Sequence, residues 1–308
     1  MVVFGYLGIA IFVCVLLFYK NDYEKGMKCF KQRNYSEAVK YFKDSDKIGD
    51  EDGSFMLGKC FEFGYGVPKD YKQAIIYYEK SGNKGKTEGL LAAGILHARK
   101  KDYSAAVRFL TKASQKNYGP AEVLLAIFFY EGRGVKQDYS EAVRLLQKSI
   151  ENTSTPAEFL KIAQWLLGEC YYYGRGVKQD YADAVNLYRR SADNGFPDAF
   201  CALGRCHEKG HGVKRDSEGA FKHYKKAAEN GNAEAQCQVG NYYRRRGNEM
   251  PSNYQLAVEY YQKAADQEYV EGLKRLAWCY RHGRGVKKDI VKAETLENKA
   301  ELIVVSKQ

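Results

Sequence analysis

Beyond residue 21 the apolar positions fall into short runs at helical spacing, and each run opens on the same phrase. It reads NYSEAV at Asn34, DYKQAI at Asp70, DYSAAV at Asp102 and DYSEAV at Asp138. It continues as DYADAV at Asp180, DSEGAF at Asp216, NYQLAV at Asn253 and DIVKAE at Asp289. Its alanines are Ala38, Ala74, Ala106, Ala142, Ala184, Ala220, Ala257 and Ala293, separated by 36, 32, 36, 42, 36, 37 and 36 residues. Such a period marks a repeat architecture. The Asp or Asn is predicted to cap a helix by accepting a backbone N–H of its first turn. Glu37 and Glu141, three residues after Asn34 and Asp138, suggest capping boxes. Apolar residues then follow at helical spacing, as in Ala74, Ile75, Tyr78 and in Ala184, Val185, Tyr188.

A second phrase precedes the first in most units: FMLGKCFEFG, WLLGECYYYG, CALGRCHEKG and RLAWCYRHG. Between the phrases lies G-x-G-V-x-x-D, starting at Gly64, Gly132, Gly174, Gly210 and Gly283. The first glycine suits a left-handed helix end, the second a tight turn, and the valine is placed to tuck beneath it. Each unit is therefore predicted as helix, glycine turn, helix. One such pair cannot bury its own apolar face, so neighbours must stack. Units one and three (FKQRNYSEA, HARKKDYSAA) pass directly from helix to helix, and unit seven carries RRRGNEMPSN in place of the linker. The 42-residue interval comes from ENTSTP, Glu151 to Pro156, which predicts an added loop or a bend.

This pattern resembles the Sel-one-like repeat family, a relative of the tetratricopeptide repeats, from Asp22 to about Leu302. The resemblance implies an all-α fold: a right-handed α-solenoid of about eight antiparallel helix pairs over residues 21–303, with a short tail at 304–308. It also implies a concave groove lined by the first helices, whose positions transfer to Phe55, Lys59, Glu62, Val123, Ile127, Tyr130, Trp165, Glu169 and Tyr172. The remaining positions are Arg205, Glu208, Asn241, Arg244, Lys274, Trp278 and Arg281. Transferred so, the groove is apolar and aromatic around units four and five and basic toward units seven and eight. Packing between repeats is the competing role for each aromatic. Family members commonly act as adaptors in membrane-associated complexes, including ubiquitin-ligase assemblies of endoplasmic-reticulum quality control, and in the assembly of organellar complexes. The expected function is thus a protein–protein interaction scaffold whose partners are other proteins or peptide segments. The alternative is a permanent structural or assembly subunit of a large membrane complex.

Val2 to Tyr19 carries no charge and is followed at once by Lys20. As a helix it would cover roughly 27 Å, close to the hydrocarbon thickness of a bilayer. Residues 1–20 are therefore expected to be a transmembrane anchor contacting lipid through residues 2–19. A cleaved signal peptide and an apolar helix packed on the repeats are the competing readings. Lys20, Lys25, Lys28, Lys31 and Arg33 all follow the segment, and by the positive-inside rule they place the repeats on the cytoplasmic side. An endoplasmic-reticulum or mitochondrial membrane fits the resemblance. Glycosylation sequons begin at Asn34 and Asn152.

Composition narrows the chemistry. Lys and Arg total 49 against 38 Asp and Glu, a net charge of +11 divided as +6 before Pro156 and +5 from it onward. A dedicated basic arm is thereby excluded, and no stacking platform for nucleic acid is evident. Basic residues recur in the linkers: Arg133 and Lys136, Arg175 and Lys178, Lys214 and Arg215, Arg284 and Lys287. This row suits an anionic partner surface or lipid headgroups, or is an ordinary solvated edge. His207 to His211 spells the H-E-x-x-H of zinc proteases, but Gly210 is the helix-ending glycine of its unit. Two ligands on one helical face are therefore not expected. Cys60, Cys170, Cys206 and Cys279 share one helix-one register, and Cys201 and Cys237 share another. A repeat step separates such positions by more than disulfide distance, so they are read as interior thiols. No catalytic residue, metal or cofactor is predicted, and the chain is not read as an enzyme.

Overall fold

The computed structural model describes residues 22–248 and 250–306. The anchor expected at 2–19 lies outside them. Among the described residues there is no strand, and no helix is long and apolar enough to cross a membrane. The helices fall into pairs, an A helix followed by a B helix, within two compact units that meet between Pro156 and Ala157, at the end of the ENTSTP insertion.

The first unit holds α1 (residues 22–31) with α2 (Tyr35–Lys47), and α3 (Glu51–Phe63) with α4 (Tyr71–Lys84). Its other pairs are α5 (Thr87–Arg99) with α6 (Tyr103–Ser114), and α7 (Gly119–Glu131) with α8 (Tyr139–Glu151). The second unit holds α9 (Ala157–Tyr173) with α10 (Tyr181–Asp193), and α11 (Pro197–Lys209) with α12 (Ser217–Glu229). It ends with α13 (Ala233–Arg245) and α14 (Ser252–Asp266), then α15 (Val270–His282) and α16 (Ile290–Val305). The last helix runs two residues past the boundary expected at 303.

The capping aspartates act as their spacing predicts. Asp70, Asp102, Asp138, Asp180, Asp216 and Asp289 each accept a backbone N–H of the first turn. The two asparagines depart from the pattern. Asn34 makes no side-chain cap bond. Asn253 lies inside α14, which starts earlier because Pro251, with φ −56°, already has helical geometry. Where units one and three lack a linker glycine, Arg33 and Lys101 take the left-handed conformation themselves, at φ 63° and 62°.

The second linker glycine has a stricter role than turning the chain. A Cβ on Gly66, Gly134, Gly212 or Gly285 would strike the backbone of Tyr35, Tyr103, Tyr181 or Tyr254, the tyrosines of the DY or NY phrases in the preceding repeats. Linker and neighbouring B helix thus meet backbone to backbone, which explains why the phrase DY or NY precedes such a glycine. Val67, Val213 and Val286 pack beneath their turns against the core.

Inside each pair the eighth residue after the Asp or Asn of the repeated phrase faces the small residue five before the last residue of the A helix. Tyr78, Tyr188, Tyr224 and Tyr261 are buried there against Gly58, Gly168, Gly204 and Gly240. In the first pair Phe42 faces Gly26 and, two pairs on, Leu110 faces Gly94. Large B-helix side chains enter because the A helix offers no side chain to meet them, which is how interdigitated cores reach native density.

Candidate partner-binding face

The buried tyrosines need acceptors, and the A helices supply them. Tyr78 donates to Glu62 (2.7 Å), Tyr188 to Glu169 (2.5 Å), Tyr224 to Glu208 (3.0 Å) and Tyr261 to Asn241 (2.8 Å). Four residues expected to line a groove are thereby bound to the core of their own repeat. Burial and the adjoining carboxylates push the Tyr78, Tyr188 and Tyr224 phenols far above their ordinary value, so they act as neutral donors.

In the first unit Phe55 sits half-buried against Tyr78, 5.5 Å between ring centroids, with the Lys59 and Lys86 ammonium groups 5.6 and 5.3 Å from its ring. Arg99 reaches Glu62 at 3.1 Å. Tyr130 stands edge-on to Tyr139, and Ile127 is half-buried. Val123 is fully buried. The groove assignment fails for Val123 because its side chain is enclosed in the core.

In the second unit the A helices touch one another through charged and aromatic side chains. Arg205 of α11 is ion-paired with Glu169 of α9 and lies 3.9 Å from Glu234 of α13. Its guanidinium stands over the rings of Tyr172 and Tyr173 at 4.9 and 5.6 Å. Arg244 of α13 lies over Trp278 of α15 at 5.3 Å. Trp165 packs edge-on against Phe196, and Lys274 is exposed. Arg281 is held by Glu297 at 2.6 Å. Tyr172, expected in the groove, is 3 % exposed and belongs to the core cluster, where burial pushes its phenol up to about 12. The exposed aromatic at this place is its neighbour Tyr173.

Expected as a simple basic end of the groove, units seven and eight are more selective. Glu297 occupies the register of the buried tyrosines, eight residues after Asp289, and Arg281 the register of Glu62 and Glu208. Donor and acceptor have exchanged places, so Arg281 is spent within its own repeat. Arg244 has no carboxylate partner among the described residues, and its Nε is buried without a hydrogen bond. The exchange could have been found by aligning the repeats on their capping aspartates; Tyr173 carried no such mark.

The basic linker residues do not form one uniform edge. Arg133 pairs with Glu131 at 2.9 Å, Arg175 lies over Tyr173, and Arg284 over Tyr254. Lys136, Lys178 and Lys287 are exposed. Lys214 and Arg215 line a pocket with Arg189 and His207.

The H-E-x-x-H residues are separated as the repeat register requires. α11 ends at Lys209, and Gly210 turns the chain at φ 75°. His211 is 3.0 Å from the Tyr172 hydroxyl and stacks on Tyr181, while His207 stacks on His223. Among the described residues no group of three or more His, Cys, Asp or Glu could hold a metal ion. The cysteines described are all free thiols. Burial raises Cys60, Cys170 and Cys237 to about 12 and Cys206 and Cys279 to about 11, leaving little thiolate at neutral pH.

A family model described as Sel1 repeat matches residues 23–43, 52–86, 91–118, 119–154, 161–196, 197–232, 233–269 and 270–296. An uncharacterized protein of Neisseria meningitidis serogroup B is 31% identical over 101 residues, 32% of this chain and 21% of its own length. This chain therefore spans about a fifth of that curated relative. A crystal structure of a protective antigen from uropathogenic Escherichia coli strains, displaying an SLR fold, superposes with a TM-score of 0.78 at 27% identity. The match covers 92% of this chain and 61% of that one. A Sel1 repeat protein from Oxalobacter formigenes shares the fold at 24% identity and a TM-score of 0.71, covering 92% of this chain and 83% of the other.

Proposed function

Because the chain belongs to the Sel1 repeat family, we propose that it is a scaffold recruiting other proteins through the A-helix face of its second unit. The observation carrying this reading is the charge state of three arginines. Arg205 is neutralised by Glu169, and Arg281 by Glu297, whereas Arg244 rests on Trp278 without an acid. A carboxylate from a partner would find there a charge-assisted bond at a site already partly stripped of water. Arginine and tryptophan are also the side chains that most often dominate binding energy. The partner this face suits is an extended peptide segment carrying an acidic residue.

Affinity capture with the full-length chain in mild detergent, quantified by mass spectrometry, tests the reading. Arg244→Ala is expected to reduce recovery of the partners about tenfold, with the circular dichroism of the chain unchanged. Arg281→Ala is expected to cost much less. Equal recovery with Arg244→Ala and the wild type would discard the Arg244 anchor.

In the same reading residues 2–19 tether the scaffold to a membrane, with the repeats, in a right-handed superhelix, on the cytoplasmic side of the endoplasmic reticulum or of a mitochondrion. The five basic residues immediately after that segment support this orientation. The sequons at Asn34 and Asn152 report on it: glycosidase treatment is expected to leave the mobility of the expressed protein unaltered. A shift would put the repeats in the lumen.

A further inference from the structure

A ring stack recurs across the helix pairs, between the residue two before the last of the A helix and the seventh after the Asp or Asn of the repeated phrase. It is Phe61 on Tyr77 (5.5 Å between centroids), His97 on Phe109 (5.5 Å) and Tyr243 on Tyr260 (5.9 Å). In the pair α11–α12 both rings are imidazoles, His207 on His223, at 5.2 Å and an interplanar angle of 19°. Elsewhere at least one side of this slot is a Phe, Tyr or Leu side chain suited to burial. Two imidazoles bring hydrogen-bonding nitrogens instead, and His207 Nδ1 is buried without a partner. An orphaned polar atom of this kind is costly in a structure and needs a reason.

Beside the imidazoles lies a pocket of about 690 Å³, lined by Arg189 of α10, His207, and the linker residues Lys214 and Arg215 that lead to the cap Asp216. Arg189, Lys214 and Arg215 have no carboxylate partner among the described residues. Asp216, the one acid of the lining, is already engaged, accepting the backbone N–H groups of Glu218 and Gly219 at 3.0 Å each. Of the other charged groups around the imidazoles, Glu218 pairs with Lys222 at 3.3 Å, and the Lys226 ammonium lies over the Phe200 ring at 4.2 Å. The pocket is therefore cationic on balance, three basic side chains against one carboxylate, and His207 forms part of its wall with Nδ1 buried.

We propose that this pocket binds a phosphate-type polyanion, with Arg189, Lys214 and Arg215 supplying the charge and His207 part of the wall. Three basic side chains can engage more than one phosphoryl group, which favours a diphosphate or a phosphate carried on a larger body. Binding is coupled to proton uptake by His223, which stacks on His207 behind the pocket wall. His223 holds its proton less well than an ordinary histidine, first because it is buried and then because His207, Lys226 and Arg189 stand near it. An anion in the pocket offsets the repulsion and raises proton affinity, so binding strengthens as pH falls through the histidine range. The inference does not depend on the A-helix face.

Calorimetric titration of the full-length chain in mild detergent tests it, with inorganic pyrophosphate in one arm and dibutyryl phosphatidic acid in the other. Pyrophosphate binding the tighter identifies a soluble phosphate, and phosphatidic acid the tighter a lipid headgroup; both support the site. Arg189→Ala with Arg215→Ala is expected to weaken binding about tenfold or more, and both residues are exposed enough to leave the fold intact. His207→Tyr with His223→Leu copies Tyr171 and Leu187, which hold these registers in the preceding repeat. It should keep the fold and remove the excess pH dependence of the wild type between about pH 8 and about pH 6. Heat from neither ligand, or a titration unaffected by the arginine pair, overturns the proposal. An equal pH dependence in the histidine variant overturns the proton coupling.

Discussion

Gly168→Ala is expected to destabilise the second unit by about 2 kcal/mol, although alanine favours a helix over glycine by about 1 kcal/mol. The added Cβ would lie 2.6 Å from a ring carbon of Tyr188. That ring is fully buried, and its hydroxyl is held by Glu169, so it cannot withdraw without breaking the bond. The overpacking outweighs the gain in helix propensity. The decisive control is the double variant Gly168→Ala with Tyr188→Leu. Ala126 and Leu146 occupy the same two registers in α7 and α8 and are both fully buried. Shortening the tyrosine should therefore recover a large part of the loss. Urea denaturation of the two variants gives the coupling directly. A single variant as stable as the wild type would show that the close approach of glycine and tyrosine is not needed.

Glu169→Ala should cost more, about 3 kcal/mol or above. It removes the acceptor of the Tyr188 hydroxyl and the main counter-charge of Arg205, whose side chain is only 15 % exposed. Glu234, at 3.9 Å, is too distant to replace it. Removing one partner of a buried pair leaves the other charge desolvated, and that residual cost exceeds the net value of the intact pair. Glu169→Gln keeps an acceptor for Tyr188 and should fall between the two. The exposed pair Lys222–Glu218 supplies the contrast: Lys222→Ala is expected to change stability by less than about 0.5 kcal/mol. If thermal melts place Glu169→Ala beside Lys222→Ala, the cluster of Glu169, Tyr188 and Arg205 is not a buried support.

Much of the fold could be read from spacing. Aspartate caps, helix-ending glycines and the alanine register are local devices, each set by a few neighbouring residues, and they recur where the period puts them. The exceptions have local causes as well. Asn253 lost its capping position to Pro251, and Arg33 and Lys101 adopt a positive φ because the turns they occupy contain no glycine.

The candidate face was less legible. Carrying groove positions over by register placed Val123 and Tyr172 on the surface, and both are buried. Register fixes the direction of a Cβ but not what the adjacent repeat lays over it. Nor does a count of basic residues reveal which ones are already neutralised. Arg205, Arg244 and Arg281 look alike along the chain, yet Glu169 and Glu297 remove two of them from the exposed charge.

The amino-acid order by itself determined the tandem helix pairs, their caps and their turns, because those depend on interactions within a few residues of one another. Tertiary packing alone decided which tyrosine is core and which is surface, which arginine is left without an acid, and that His207, stacked on His223, shares a pocket wall with three cations. Such outcomes depend on partners some 16 to 39 residues away, as in Arg281 with Glu297 and Tyr172 with His211. Burial and charge compensation are properties of those meetings rather than of any single stretch of chain.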